Sequence, residues 1–150
     1  MPVVSYASVS MSPPLVVVAC GQKSFTLKLA LKSRSFSLCL LDRARVDAME
    51  KLGSTSGTDY KDKLAESGLT CGTGRKLDVP IIMEADAILE CKLKSAKRLG
   101  DHLVLTGEAK ACYASEKFKE FWDFKKYRPI LYTGWRDGMR TYEEDQGSKI

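Results

Sequence analysis

The stretch Val4-Ser-Tyr-Ala-Ser-Val-Ser-Met-Ser-Pro-Pro-Leu-Val-Val-Val-Ala-Cys-Gly-Gln-Lys-Ser-Phe-Thr26 joins small hydroxyl residues, a double proline, an apolar run and a Lys-Ser-x-Thr turn. Leu15 to Cys20 is continuous, apolar and rich in β-branched residues, and reads as a strand buried on both faces. Pro13 and Pro14 have no backbone N–H to donate, so they mark where the chain leaves one strand and enters the next. Gly21 ends the run. Ser24 then reads as the N-cap of a helix over Phe25 to Lys32, with Leu27, Ala30 and Leu31 on one face. A helix N-terminus presents unpaired N–H groups and a partial positive charge, to which Lys23, Ser24 and Thr26 add side-chain donors. Hydrogen bonds involving a charged group contribute about 1.5–3 kcal/mol each, so a few of them can hold a phosphate against water. An ordinary capped strand-to-helix turn has the same spacing, and the residues alone leave both readings open.

Downstream, Ser35 to Leu41 alternates into a strand, and Asp42 to Leu52 carries Val46, Met49 and Leu52 at helical spacing. Gly53-Ser-Thr-Ser-Gly57 is a hydroxyl-rich loop, after which Thr58 reads as the N-cap of a helix reaching Ser67 and closed by Gly68. Tyr60 and Leu64, four residues apart on that helix, would face the core, leaving Lys63 to point elsewhere. Ala85 to Ala114 reads as a long antiparallel hairpin turning at Gly100-Asp101, with apolar alternation in Ile88 to Leu93 and Leu103 to Leu105. These strands would close a barrel. Ser115 to Phe124 is a helical candidate bearing Phe118, Phe121 and Trp122, and Pro129 to Tyr132 a last strand. The polar tail from Glu143 to Ile150 reads as disordered, leaving one domain over residues 1–142.

A length of 150 residues with 44% hydrophobic and 29% charged residues suits a single globular domain with a proper core. The net charge of +5 suits an anionic ligand, but Lys and Arg are scattered rather than gathered in a tract, which disfavours nucleic acid. The five cysteines form no Cys-x-x-Cys pair and include one left over, which argues against a zinc site and a disulfide framework. They read as buried thiols of a reducing cytoplasm. No apolar segment is long enough to span a membrane. Val17-Val-Ala-Cys20 has the outline of a lipoprotein cleavage site, yet no Lys or Arg precedes Lys23 and prolines break the apolar stretch, so this stretch is not expected to act as an export signal.

Further marks fall in a fixed order: Ser-x-Ser-x-x-Pro-Pro-Leu-Val, the Lys-Ser-x-Thr turn, the Gly53–Gly57 loop with Asp62-Lys-Leu64, Gly68-Leu-Thr70, Ala87-x-Leu-Glu-Cys91, Gly100-Asp-His102 with Thr106-Gly107, and Pro129-Ile-Leu-Tyr-Thr-Gly134. In that order they resemble the flavin reductase-like family. The resemblance implies a mainly β, Greek-key split barrel with short helices that binds FMN, with FAD as the alternative, across or near a homodimer interface. It implies that Tyr6, Ala7, Ser8, Val9 and Ser10 hold the isoalloxazine edge and that Ala19, Cys20, Gly21 and Gln22 line it. Lys23, Ser24 and Thr26 would contact the phosphate, joined by Lys63 and by Ser54, Thr55, Ser56 and Gly57. The phosphate carries a charge near −2, which two lysines nearly balance. The family also places a stretch of some tens of residues, including the barrel's first strand, ahead of the segment that begins here at Met1. An internal methionine taken as the start is the favoured explanation, over a shortened chain or a partner-supplied cover.

His102 is the sole histidine, and the resemblance implies a place near flavin and nicotinamide; a polar residue beside a turn is the plainer reading. Hydride transfer between nicotinamide and flavin needs no protein acid, so His102 is expected to modulate at most. Tyr132 and Trp135 are expected at a dimer interface, over the flavin, or in the core. The expected function is an NAD(P)H-dependent flavin reductase passing electrons from reduced flavin to an acceptor such as free flavin, ferric iron or a monooxygenase. A flavoredoxin-like electron carrier that does not use NAD(P)H directly is the alternative, and a cofactor-free dimerisation module a third. No Gly-x-Gly-x-x-Gly fingerprint distinguishes NADH from NADPH.

Overall fold

The structure, a computed structural model, describes residues 1–58, 62–136 and 139–143. Its frame is a five-stranded antiparallel sheet built from β1 (Tyr6–Met11), β2 (Pro14–Gly21), β3 (Ser35–Leu40), β6 (Ala87–Leu99) and β7 (His102–Ala114), in the order β1-β2-β7-β6-β3. Two short hairpins flank it: β4 (Cys71–Thr73) with β5 (Pro80–Ile82), and β8 (Leu131–Arg136) with β9 (Met139–Glu143). Helices α1 (Phe25–Ser33), α2 (Val46–Ser54) and α3 (Lys63–Glu66) connect them.

The double proline does what its chemistry requires. β1 ends at Met11 and β2 starts at Pro14, pairing back from Met11 opposite Pro14 to Tyr6 opposite Val18. The register slips between Ser8 and Ser10, leaving Val9 as a bulge. β2 alternates: Val16, Val18 and Cys20 are buried, while Leu15, Val17 and Ala19 are half-buried. The expected strand is present, but only one of its faces is fully buried. The long hairpin is as expected, with Gly100 at φ 58° supplying the left-handed turn between β6 and β7.

Two apolar clusters form the core. Val18, Cys20, Leu27, Ala30, Leu93 and Leu105 join β2, α1, β6 and β7. Leu41, Leu52 and Leu69 join the end of β3 to α2 and the segment after α3. The β4–β5 loop is held by Glu90, whose side chain has 0% exposure. Its carboxylate accepts the N–H groups of Arg75 (2.6 Å), Lys76 (2.9 Å) and Leu77 (2.6 Å) and the hydroxyl of Tyr113 (3.0 Å). Burial pushes the Glu90 carboxyl up, but these four donors outweigh burial and hold it below the usual carboxylate range.

Several expectations need correction. The helix after β3 is split: Asp42 caps a 3₁₀ turn over Arg43–Arg45 by accepting the Ala44 N–H, and α2 follows from Val46. α2 runs to Ser54, so Gly53 and Ser54 belong to it and the hydroxyl-rich loop is shorter than expected. The next helix is capped by Asp62, which accepts from Leu64 and Ala65, and not by Thr58; the ionised carboxylate is the better acceptor beside that first turn. Tyr60 lies outside the described residues. Ser115 to Phe124 is not helical: Ser115 Oγ takes the Lys117 N–H, Phe118 bridges to Trp122, and the Asp123 N–H turns back to the Lys117 carbonyl. Pro129 makes an isolated bridge to Asp42, so the last expected strand starts at Leu131. Glu143 belongs to β9, and the rest of the expected disordered tail lies outside the described residues. Only Cys20 and Cys91 of the five cysteines are buried; Cys39 is half-buried and Cys71 and Cys112 are exposed.

Candidate cofactor site

The turn from β2 into α1 carries the candidate site. Ser24 has extended backbone and its hydroxyl accepts the Leu27 N–H at 3.3 Å, as an N-cap should, with its own N–H bonded to the Gly21 carbonyl at 3.0 Å. Phe25 and Thr26 occupy the first turn, where N–H groups have no intrahelical acceptor. Gly57 approaches the ring of Phe25 so closely that a Cβ there would sit 3.1 Å from a ring carbon, so only glycine seats this loop without displacement. Lys63, on α3, folds back to donate to the Thr55 carbonyl. Thr26, Gly57 and Lys63 thereby line one cavity of about 460 Å³, lying between the two core clusters. Apolar residues such as Val18, Leu38, Ile82 and Leu105 form much of its wall. An apolar space edged by helix N–H donors and an ammonium suits a flat ring carrying an anionic tail.

A second group gathers where β2 ends. Gly21 lies opposite His102 in the β2–β7 ladder. Gln22 is tied to the hairpin turn twice, its N–H to the Asp101 carbonyl at 3.4 Å and its amide to the Gly100 carbonyl at 2.9 Å. His102 Nδ1 is 2.7 Å from the exposed Asp101 carboxylate, whose pKa the histidine's hydrogen bond and charge draw down. Cys20 and Tyr6 face the cavity, whereas Ala7, Ser8 and Val9 are exposed and Ser10 is half-buried on β1. Ala19 is fixed through its N–H to the Ser5 carbonyl at 2.9 Å. Lys23 is exposed beside the cap.

Not every expected phosphate contact converges. The hydroxyls of Ser54 (3.2 Å) and Thr55 (2.8 Å) both return to the Lys51 carbonyl and close the end of α2. Ser56 Oγ engages the Thr58 hydroxyl at 2.8 Å. Sequence reading missed Phe25 as the wall against Gly57 and Asp101 as the partner of His102; the Asp-His adjacency was visible, the ring contact was not. It also missed Tyr127, which lines the same cavity.

Residues 1–134 match the model of the flavin reductase like domain. The chain belongs to the flavin reductase-like family. An uncharacterized protein of Aeropyrum pernix is 38% identical over 126 residues, covering 83% of this chain and 48% of its own, so this flavin reductase-like chain spans about half that relative's length. Among solved structures, an FMN-binding protein from Thermus thermophilus is similar at 30% identity and a TM-score of 0.76, over 94% of this chain and 75% of that one. Flavoredoxin from Methanosarcina acetivorans shares the fold with a TM-score of 0.77 at 24% identity, over 93% of this chain and 74% of its own. The mainly antiparallel sheet with short helices is therefore the flavin reductase-like split barrel. No helix among the described residues is long and apolar enough to cross a membrane.

Proposed function

We propose that this chain binds FMN and serves as an NAD(P)H-dependent flavin oxidoreductase. The observation that carries the reading is the convergence of the α1 N-terminus, Gly57 and Lys63 on one cavity, in a chain of the flavin reductase-like family. The N–H groups of Phe25 and Thr26 and the Lys63 ammonium hold the phosphate, with exposed Lys23, next to the Ser24 cap, adding charge. Residues Tyr6 to Ser10, with the bulge at Val9, and Ala19 to Gln22 fix the ring edge. Bound flavin would supply the hydride-accepting chemistry; the protein sets distance and orientation. His102, held by Asp101 at the same end of the sheet, modulates the nicotinamide side. The working form is a cytoplasmic homodimer, supported by the half-buried face of β2 and the exposed apolar side chains of Tyr6, Val9 and Met11 on β1.

An anaerobic titration of the FMN-loaded protein with NADH and NADPH tests this. Bleaching of the flavin absorbance by either donor, with steady turnover when flavin is in excess, is the expected result. Bound flavin that neither donor bleaches would replace the reductase with an electron carrier, and failure to take up FMN would remove both.

A further inference from the structure

Tyr127 poses a problem that neither the fold nor the cradle solves. Its residue is only 4% exposed, its ring stacks on Trp122 with centroids 4.1 Å apart, and its backbone N–H is bonded to the Asp123 carbonyl at 2.8 Å. Its hydroxyl, however, has no hydrogen-bond partner among the described residues, although its side chain lines the 460 Å³ cavity together with Tyr6, Leu41, Pro129 and Ile130. A buried hydroxyl without a partner is costly, and native structures rarely leave one so. Burial first, and then electrostatic repulsion from Tyr6, Asp86 and Asp42, push the Tyr127 hydroxyl up to about 12, so it stays protonated and acts as a donor. Asp86 and Asp42 are also the partners of Lys117, at 3.1 and 3.5 Å, so that cation is already engaged.

We infer that the Tyr127 side of the cavity is a binding subsite for a neutral ring compound bearing one hydrogen-bond-accepting oxygen, with the Tyr127 hydroxyl donating to that oxygen and Leu41, Pro129 and Ile130 covering the ring. Lys117 offsets only one of the two charges of Asp86 and Asp42, and the remaining negative charge near this hydroxyl disfavours an anionic ligand here relative to the cradle of Thr26, Gly57 and Lys63. The subsite shares its cavity with the proposed flavin site, so the probes are applied to the flavin-free chain.

Three probes of one size decide it: acetophenone, which is neutral with a carbonyl; ethylbenzene, which lacks the oxygen; and benzoate, which is charged. In calorimetric titrations of the intact chain, acetophenone is expected to bind at least about tenfold tighter than either of the others, the advantage of one well-placed donor. Tyr127→Phe should abolish that advantage while leaving ethylbenzene affinity unchanged. Ile130→Trp, which fills the space without touching the hydroxyl, should weaken all neutral probes together. Equal binding of the three probes by the wild type, no binding of any, or an acetophenone preference that survives Tyr127→Phe would overturn the subsite. FMN titration of the same proteins keeps the two readings apart, since Tyr127→Phe leaves the phosphate cradle untouched.

Discussion

Two places in this molecule gather backbone N–H groups around one point, and they differ in what sits there. In the β4–β5 loop, Arg75, Lys76 and Leu77 aim their N–H groups at the Glu90 carboxylate, which the chain itself carries on β6. At the start of α1 the first turn carries no acidic residue, no carboxylate among the described residues is bonded to the N–H groups of Phe25 and Thr26, and Lys63 and Gly57 line the same cavity. The donors are alike; the source of the negative charge is not. In the first place the fold supplies its own carboxylate, and in the second, on the proposed function, the donors are left for a ligand phosphate.

Removing the internal anion should give the largest effect. Glu90→Ala leaves three N–H groups and the Tyr113 hydroxyl without their acceptor, at about 1–3 kcal/mol each, so urea unfolding should show a loss of at least about 3 kcal/mol. A variant as stable as the wild type would break the contrast between the two regions. Acid tests the same anion without mutation. Glu90 and Asp42 both have folded pKa values below their ordinary ones, in each case despite burial and because of donated hydrogen bonds, with Lys117 adding its charge at Asp42. Their contribution is therefore fully present above the ordinary carboxylate range near pH 4 and is lost as pH falls through the depressed folded values. The urea midpoint should hold from pH 7 to about pH 5 and drop below that; a midpoint that climbs on acidification would contradict the assignment.

At the open region the effect should move from stability to binding. Lys63→Ala is expected to weaken FMN binding by about ten- to a hundredfold in a fluorescence titration, with an unfolding midpoint close to wild type. Lys23→Ala, at an exposed position, should weaken it by a smaller factor. Tyr113→Phe removes one of four donors to Glu90 and should cost about 1 kcal/mol of stability with no change in FMN affinity. His102→Gln should be the mildest, leaving fold and flavin affinity intact and altering the rate of NAD(P)H oxidation by a few fold.

The same contrast explains what could be read from the residues alone. The β2 strand, the Ser24 cap and the Gly100 hairpin were legible because each depends on neighbours in sequence: apolar alternation, a hydroxyl before a helical run, a glycine between two strands. The Glu90 anchor was not, since the N–H groups it serves lie 13 to 15 residues earlier and only the β4–β5 fold brings them to it. The Thr58 cap and the Ser115–Phe124 helix failed where a nearby side chain offered the backbone a better partner, Asp62 in one case and Ser115 in the other. Within the candidate site, Thr26, Gly57 and Lys63 line the cavity, whereas the Ser54 and Thr55 hydroxyls return to the Lys51 carbonyl, because a hydroxyl at a helix end bonds its own carbonyls first.

A comparison of FMN with riboflavin on the wild-type chain and on Lys63→Ala tests the open cradle most directly. The two ligands share the ring and differ in the phosphate, so a cradle at the α1 N-terminus predicts FMN binding at least about tenfold tighter than riboflavin in the wild type, with most of that preference gone in Lys63→Ala. Equal affinities of the wild type for the two ligands, or a preference for FMN that Lys63→Ala leaves intact, would contradict it.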